Sequence, residues 1–148
     1  MVWACFNYYG KSKLVRCDHK INSEEYINIL GTGLMHFLDT VYTPRDFIFQ
    51  QDNASAHSSK VTTQYLEDQD INVLPWPPQS PDLNPIENLW AILNRKCDRR
   101  ACKNANELFE ELSSAWDSLD ITILQNLSNS MVNRCQELKE TKGLKIDY

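Results

Sequence analysis

Two carboxylates in this chain stand where chemistry is most easily done. Asp52 closes a short apolar run, residues 47–51, and is followed by the small polar string Asn53-Ala54-Ser55-Ala56-His57. Strand ends are where open α/β sheets present ligands. Glu87 stands at the start of a helix beyond a proline-rich connector. If the two converge, they offer hard oxygen donors to Mg²⁺, which keeps room for water and a substrate phosphate. Two such ions about 3.5–4 Å apart can activate a water or hydroxyl and stabilise the leaving oxygen of a phosphodiester. Plainer readings stand beside this one. Glu87 lies three residues after Asn84, the spacing of a capping box. Asp52 can cap the turn into the next helix, and His57 can ligate a metal or phosphate or simply sit in a polar loop. Asp82 fits a support for the proline turn. Trp3, Tyr8, Tyr9, Trp76 and Trp90 can stack on bases, although Trp90 falls on an apolar helical stripe and reads as core. Spacing alone leaves these readings open.

The elements that must position these groups can be read along the chain. Residues 2–9 are aromatic and β-branched and end at Gly10, the profile of a strand, with residues 14–17 as hairpin partner across a turn at 10–13. Ser23 can cap a helix with Glu24 and Glu25 in its first turn and Tyr26, Ile29, Leu30, Leu34, Phe37 and Leu38 on one face. Gly31 and Gly33 weaken its middle. Residues 47–51 read as a buried strand, 58–69 as a helix and 72–76 as a further strand. The string Pro75-Trp76-Pro77-Pro78-Gln79-Ser80-Pro81-Asp82-Leu83-Asn84-Pro85 excludes regular structure and makes a stiff connector. Asn84 then caps a helix with Pro85 in its first position and Ile86, Leu89, Trp90, Leu93 and Cys97 as its stripe. Two more amphipathic segments follow. One carries Leu108, Leu112, Trp116 and Leu119. The other, capped by Asp120, carries Ile123, Leu124, Leu127, Met131, Cys135 and Leu138 and stops near Gly143. Strands first and helices last suggest an α/β layered domain. A connector that folds the Glu87 helix back over the strand ends would bring the two carboxylates together.

Length and composition narrow the class. The chain has 148 residues, 42% apolar and 24% charged, with net charge −5. That is one globular domain's worth of chain. No apolar stretch approaches the ~18 residues of a membrane span, and no secretory signal precedes the first strand. Five cysteines (Cys5, Cys17, Cys97, Cys102 and Cys135) lack CxxC spacing, which favours thiols in a reducing compartment over a disulfide scaffold or zinc site. Charge is uneven. Residues 39–87 carry eight acids against Arg45 and Lys60. Two basic segments flank them: Lys11, Lys13, Arg16 and Lys20 against Asp18, and Arg95, Lys96, Arg99, Arg100 and Lys103 against Asp98. An acidic centre between basic flanks suits a site that holds cations and meets a polyanion. Ordinary solvated helix surface is the alternative.

Two strings carry a resemblance. They are Phe47-Ile48-Phe49-Gln50-Gln51-Asp52-Asn53-Ala54, with His57 beyond, and Leu74-Pro75-Trp76-Pro77-Pro78-Gln79-Ser80-Pro81-Asp82-Leu83-Asn84-Pro85-Ile86-Glu87-Asn88-Leu89-Trp90. They resemble the catalytic domain of mariner-superfamily DDE transposases, and Val2-Trp3-Ala4-Cys5-Phe6 through Gly10 resembles the segment upstream. The 34 residues between Asp52 and Glu87 match the branch whose third acid is Glu. The resemblance implies an RNase H-like fold, a mixed sheet flanked by helices, with residues 1–103 as the sheet and motif region and 104–148 as C-terminal helices. It implies three acids holding two Mg²⁺ or Mn²⁺ ions, with Asp52 as the second acid and Glu87 as the third. DNA is the implied partner, as transposon ends and target, with Arg95, Lys96, Arg99, Arg100 and Lys103 toward its phosphates, and the nucleus is the implied compartment.

The same resemblance places the first acid on an opening strand ahead of Val2, and a helix-turn-helix region ahead of that. Asp18 does not match the first-acid motif. The expectation is therefore a domain without its first central strand, whose unpaired edges invite self-association into a homodimer. Two carboxylates hold two ions poorly, so a chain inactive by itself is expected. A non-catalytic DNA- or protein-binding module derived from such a domain is the competing expectation.

Overall fold

Side-chain alternation along the first strand sets the layering. In the computed structural model, which describes residues 1–17 and 20–146, Val2, Ala4 and Phe6 face one apolar cluster, while Trp3 and Cys5 face another. Successive side chains of an extended chain point to opposite faces. The N-terminal hairpin is thus a middle layer with helices on both sides. Asp18 lies outside the described residues.

The hairpin is more broken than a strand over 2–9 paired with 14–17. β1 (Val2–Trp3) pairs antiparallel with β4 (Val15–Arg16), and β2 (Phe6–Asn7) with β3 (Gly10–Lys11). Trp3 opposes Val15 and Phe6 opposes Lys11, so residues 4 and 5 face residues 12 to 14. The extra residue makes a bulge. Buried Ser12 fills it: its N–H donates to the Cys5 carbonyl at 2.8 Å, and its Oγ accepts from the Cys5 N–H at 3.0 Å. The turn is Tyr8-Tyr9 rather than 10–13. Asn7 Oδ1 accepts from the N–H groups of Tyr9 and Gly10 at 2.8 and 3.0 Å, closing the turn with its own side chain.

The strands expected at 47–51 and 72–76 contract to one parallel bridge, Phe49 to Val73. Phe49 N–H donates to the Asn72 carbonyl at 2.8 Å, and Leu74 N–H to the Phe49 carbonyl at 2.9 Å. The next rung would need the Gln51 N–H on the Leu74 carbonyl and the Trp76 N–H on the Gln51 carbonyl, and among the described residues the pairing stops at the single bridge.

On the Trp3 face, α1 (Ser23–Ile29) is capped by Asn22, not Ser23, whose Oδ1 accepts from Glu25 N–H at 2.9 Å. It widens into a π-helical stretch, Leu30–Met35, before α2 (His36–Thr40). A Cβ on Gly33 would stand 2.4 Å from the Trp3 ring. That glycine is a seat for the indole. α3 (Lys60–Asp68), capped by Ser59, completes the layer around Tyr26, Leu30, Leu34, Phe49 and Leu66.

The opposite face is built by α4 (Pro85–Lys96), α5 (Ala105–Asp117) and α6 (Ile121–Glu140), around Leu89, Leu93, Leu112, Trp116 and Leu124. Pro85 opens α4 and Asp120 caps α6, as the sequence predicts. Trp116 Nε1 donates to the Ser12 carbonyl at 2.8 Å, and Lys11 Nζ to the Leu119 carbonyl at 3.2 Å, fastening the hairpin to α5 and to the turn that follows it. Arg16 Nη1 donates to Asn106 Oδ1 at 2.6 Å, with its guanidinium 5.9 Å from the Phe109 ring centre. Part of the first basic segment is therefore used in holding the fold.

The α6 stripe departs from expectation in its last turns. Cys135 is exposed and Arg134, 1% exposed, takes the inward position. Among the described residues no helix is long and apolar enough to cross a membrane.

Candidate active site

Asp52 emerges three residues past the Phe49 bridge and Glu87 stands in the first turn of α4. The connector between them is not wholly irregular: Pro81–Leu83 form a 3-10 turn whose Leu83 is buried. The Asn84 N–H donates to the Pro81 carbonyl at 3.0 Å. Three further contacts hold the elbow. Asn53 Nδ2 donates to the Trp76 carbonyl at 2.8 Å, and Gln50 Nε2 to Asn84 Oδ1 at 3.1 Å. From α6, Arg134 Nη1 donates to the Asp82 carbonyl at 2.6 Å. Asp82 Oδ2 accepts from the Ile146 N–H at 3.0 Å, so this carboxylate ties down the chain's C-terminal segment as well as standing in the turn.

These contacts decide between the two readings of Glu87. In a capping box, Asn84 Oδ1 would bond into the helix and Glu87 would bond back to the Asn84 N–H. Here Oδ1 is taken by Gln50 and the N–H by Pro81, and Asn84 makes no side-chain cap bond. The capping box does not form. Glu87 instead lines an open cavity of about 570 Å³, whose wall also holds Asp52, His57, Tyr26, Asn84 and Trp90. Partial burial, and then the charge of Asp52, hold the Glu87 carboxyl above its ordinary range.

Asp52 does not cap α3, which Ser59 caps. Its Oδ1 accepts from the Ala54 N–H at 3.0 Å, a local turn that leaves the carboxylate 58% exposed. His57 Nδ1 lies 2.6 Å from the same oxygen, yet it makes no aligned hydrogen bond. The separation establishes them as neighbours; the direction does not make a bond. The imidazole stacks on Tyr26, ring centres 4.0 Å apart, and Tyr26 Oη donates to Gln51 Oε1 at 2.7 Å. Burial, more than the charge of Asp52, pushes the Tyr26 phenol up and keeps it neutral.

Two mutually repelling carboxylates on one open cavity are hard oxygen donors, the kind that suit Mg²⁺ or Mn²⁺. The donor type fits. The number is small: among the described residues no group of three or more His, Cys, Asp or Glu side chains is gathered closely enough to hold an ion.

The basic segment lies elsewhere. Arg95 and Lys96 end α4, and Arg99, Arg100 and Lys103 are exposed on the loop beyond. At 1.5 Å per residue, the end of α4 is about 13.5 Å along the axis from Glu87. Arg99 donates to Asn94 and the Lys103 N–H to Glu107, which shape the loop. Of the aromatic residues, Trp3 packs over Gly33, and Trp90 stacks on Trp116 with ring centres 5.6 Å apart. Both are used in packing. Tyr8 and Tyr9 are exposed at the hairpin turn, Tyr9 edge-to-face with Tyr42, and Trp76 is half-buried.

Sequence reasoning missed Gln50, Asn53, Tyr26 and Arg134. A signal existed for the last: Leu127, Met131, Arg134 and Leu138 follow helical spacing as well as the series through Cys135 does.

Comparison with known proteins adds the lineage. Residues 1–109 match the DDE superfamily endonuclease family. Over 150 residues the chain is 39% identical to the transposable element Tc3 transposase of Caenorhabditis elegans, covering all of this chain and 45% of that protein. It is 34% identical over 148 residues to the transposable element Tcb2 transposase of Caenorhabditis briggsae, covering all of this chain and 54% of that one. The chain thus spans about half the length of these relatives. The solved catalytic domain of Mos1 mariner transposase superposes with a TM-score of 0.80 at 18% identity, covering 99% of this chain and 82% of that one. The Mos1 paired end complex with Mg gives 0.82 at 19%, covering 95% of this chain and 42% of that one. These superpositions establish the RNase H-like transposase fold.

Proposed function

The chain belongs to the DDE superfamily endonucleases, and from that we propose that it is a divalent-metal-dependent DNA strand cleavage and strand transfer domain of a Tc1/mariner-type transposase. The observation that carries the proposal is local. Asp52 and Glu87 share one cavity beside the Phe49–Val73 bridge, and the capping contacts that would have occupied Glu87 are made by other groups. Asp52 and Glu87 are the residues that would hold Mg²⁺ or Mn²⁺. The ions would supply activation of the attacking oxygen and charge stabilisation at the leaving oxygen. The chain's own part is to aim the two carboxylates. The bridge fixes Asp52, the pinned elbow fixes Glu87, and the His57–Tyr26 stack closes the wall behind Asp52.

The DNA partner is supported by the relatives' transposase identity and by Mos1 transposase complexes such as the paired-end complex with left transposon end. A DNA substrate puts the site of action in the nucleus. Arg95, Lys96, Arg99, Arg100 and Lys103 are the phosphate-facing candidates. With two carboxylates gathered on the cavity, the 148 residues by themselves turn over weakly, since Mg²⁺ dehydrates reluctantly with few charged ligands.

The test joins binding to chemistry. Mn²⁺ binding followed by electron paramagnetic resonance is expected to weaken at least roughly tenfold in Asp52→Ala and in Glu87→Gln, the scale that even outer-shell losses reach. Single-turnover cleavage of transposon-end DNA with Mn²⁺ is expected to be slow in the intact chain and lost in both variants. Cleavage that survives both substitutions would reject the assigned roles. Fast cleavage by the intact chain would reject the weak-turnover part alone.

A further inference from the structure

Arg134 is a charged side chain placed where an apolar one is expected. It sits on the inward face of α6, 1% exposed. Burying a guanidinium is unfavourable unless its donors are matched. Here each nitrogen of the fork reaches a different segment. Nε donates to Ser130 Oγ on α6 at 3.0 Å, Nη1 to the Asp82 carbonyl in the 3-10 turn at 2.6 Å, and Nη2 to Asn88 Oδ1 in the first turn of α4 at 2.8 Å. Asn88 adjoins Glu87. Residues one apart on a helix are about 100° apart around its axis, so fixing Asn88 fixes the rotation that aims Glu87. From the strand side, Gln50 holds Asn84 in the same turn. The start of α4 is thus held between the Phe49 strand and α6.

We infer that Arg134 is the positioning residue for Glu87: its fork spans the Asp82 turn and Asn88 and sets the direction in which the Glu87 carboxylate faces the cavity shared with Asp52. The inference rests on the metal-site reading above for its consequence, but its geometry stands apart from that reading. The rigid planar fork is what spans these three acceptors, and a lysine, whose ammonium is one point on a flexible stem, cannot bridge them.

The experiment uses the 148-residue chain and two readouts. The first needs no metal: amide hydrogen exchange at Asn84 and Glu87, whose N–H groups bond to Pro81 and Asn84. Arg134→Met is expected to lower protection there by about tenfold, one lost hydrogen bond's worth, with α5 amides unchanged. The second is Mn²⁺ affinity. Arg134→Met is expected to weaken it by about tenfold, Arg134→Lys equally, and Arg134→Met/Glu87→Gln no further than Glu87→Gln alone, since coupled residues are non-additive.

A residue that merely stabilised the fold would give additive losses, and that result would overturn the inference. So would full affinity in Arg134→Lys, which would make charge the operative property. If Arg134→Met does not fold, Asn88→Ala removes only the α4 end of the bridge and is read in the same way. If Glu87→Gln leaves Mn²⁺ affinity unchanged, the metal reading falls, and the exchange readout still decides whether Arg134 holds the turn.

Discussion

At the scale of single residues, the site's central property is a carboxyl held partly out of water with a second carboxylate on the same cavity. Glu87 is held above the ordinary carboxyl range by partial burial and by Asp52. It therefore binds its proton more tightly folded than unfolded. In the interval between the unfolded and folded values the native state carries more protons, so stability falls as pH rises through it. Glu87→Gln removes that penalty. The metal-free variant is expected to melt above the parent chain at pH 7, with the gap closing as pH drops below the ordinary carboxyl range. Thermal melts at a series of pH values check this, and a variant that melts lower at pH 7 would contradict it. Some of this was legible beforehand: Asp52 and Glu87 stood out by type and position. The failure of the capping box was not. It depends on Gln50 and Pro81 taking the two groups that the box requires, and neither is a local partner of Glu87.

At the scale of elements, the two glycines of the first long helix separate by what they touch. A methyl on Gly33 would meet the Trp3 ring at 2.4 Å, whereas one on Gly31 would meet only the Tyr65 hydroxyl, at an ordinary 3.5 Å. Gly33→Ala is expected to destabilise by about 1–3 kcal/mol through overpacking. Gly31→Ala is expected to stabilise by up to about 1 kcal/mol through helix propensity. Urea denaturation monitored by circular dichroism measures both. The loop after α4 makes a separate prediction. Arg99→Glu/Arg100→Glu is expected to lower DNA affinity and flatten its dependence on salt by about two phosphate contacts. A fluorescence anisotropy titration at several salt concentrations reads that slope, and an unchanged slope would remove these residues from the DNA interface. Helix placement followed from periodicity and caps, as Asp120 and Pro85 illustrate. The strands were over-read, because alternation signals a buried extended segment without saying where pairing stops. A bulge at Ser12 breaks the hairpin, and the 47–51 and 72–76 segments keep one bridge, Phe49 to Val73.

At the scale of the whole molecule, the hairpin joins two apolar clusters that are otherwise separate. Trp116 is the pin on one side, fully buried, stacked on Trp90 and bonded to the bulge at Ser12. Trp116→Ala is expected to cost about 3–5 kcal/mol. Trp116→Phe keeps most of the packing but leaves the Ser12 carbonyl unmatched, at a cost of about 1–3 kcal/mol. Equilibrium unfolding distinguishes the two.

By itself, the sequence determined what is local or periodic: the helical stripes, the caps, the stiffness of the proline connector and the two strings that mark the DDE lineage. Tertiary structure decided what depends on distant partners. It set the direction of the elbow, the use of Lys11 and Arg16 in holding the hairpin, and the exchange of Cys135 for Arg134 at the inward face of α6. The physical reason is the range of the interactions. A helical stripe or a proline's fixed φ acts over a few residues, while a buried guanidinium is tolerable only once acceptors 46 and 52 positions away have been brought to it.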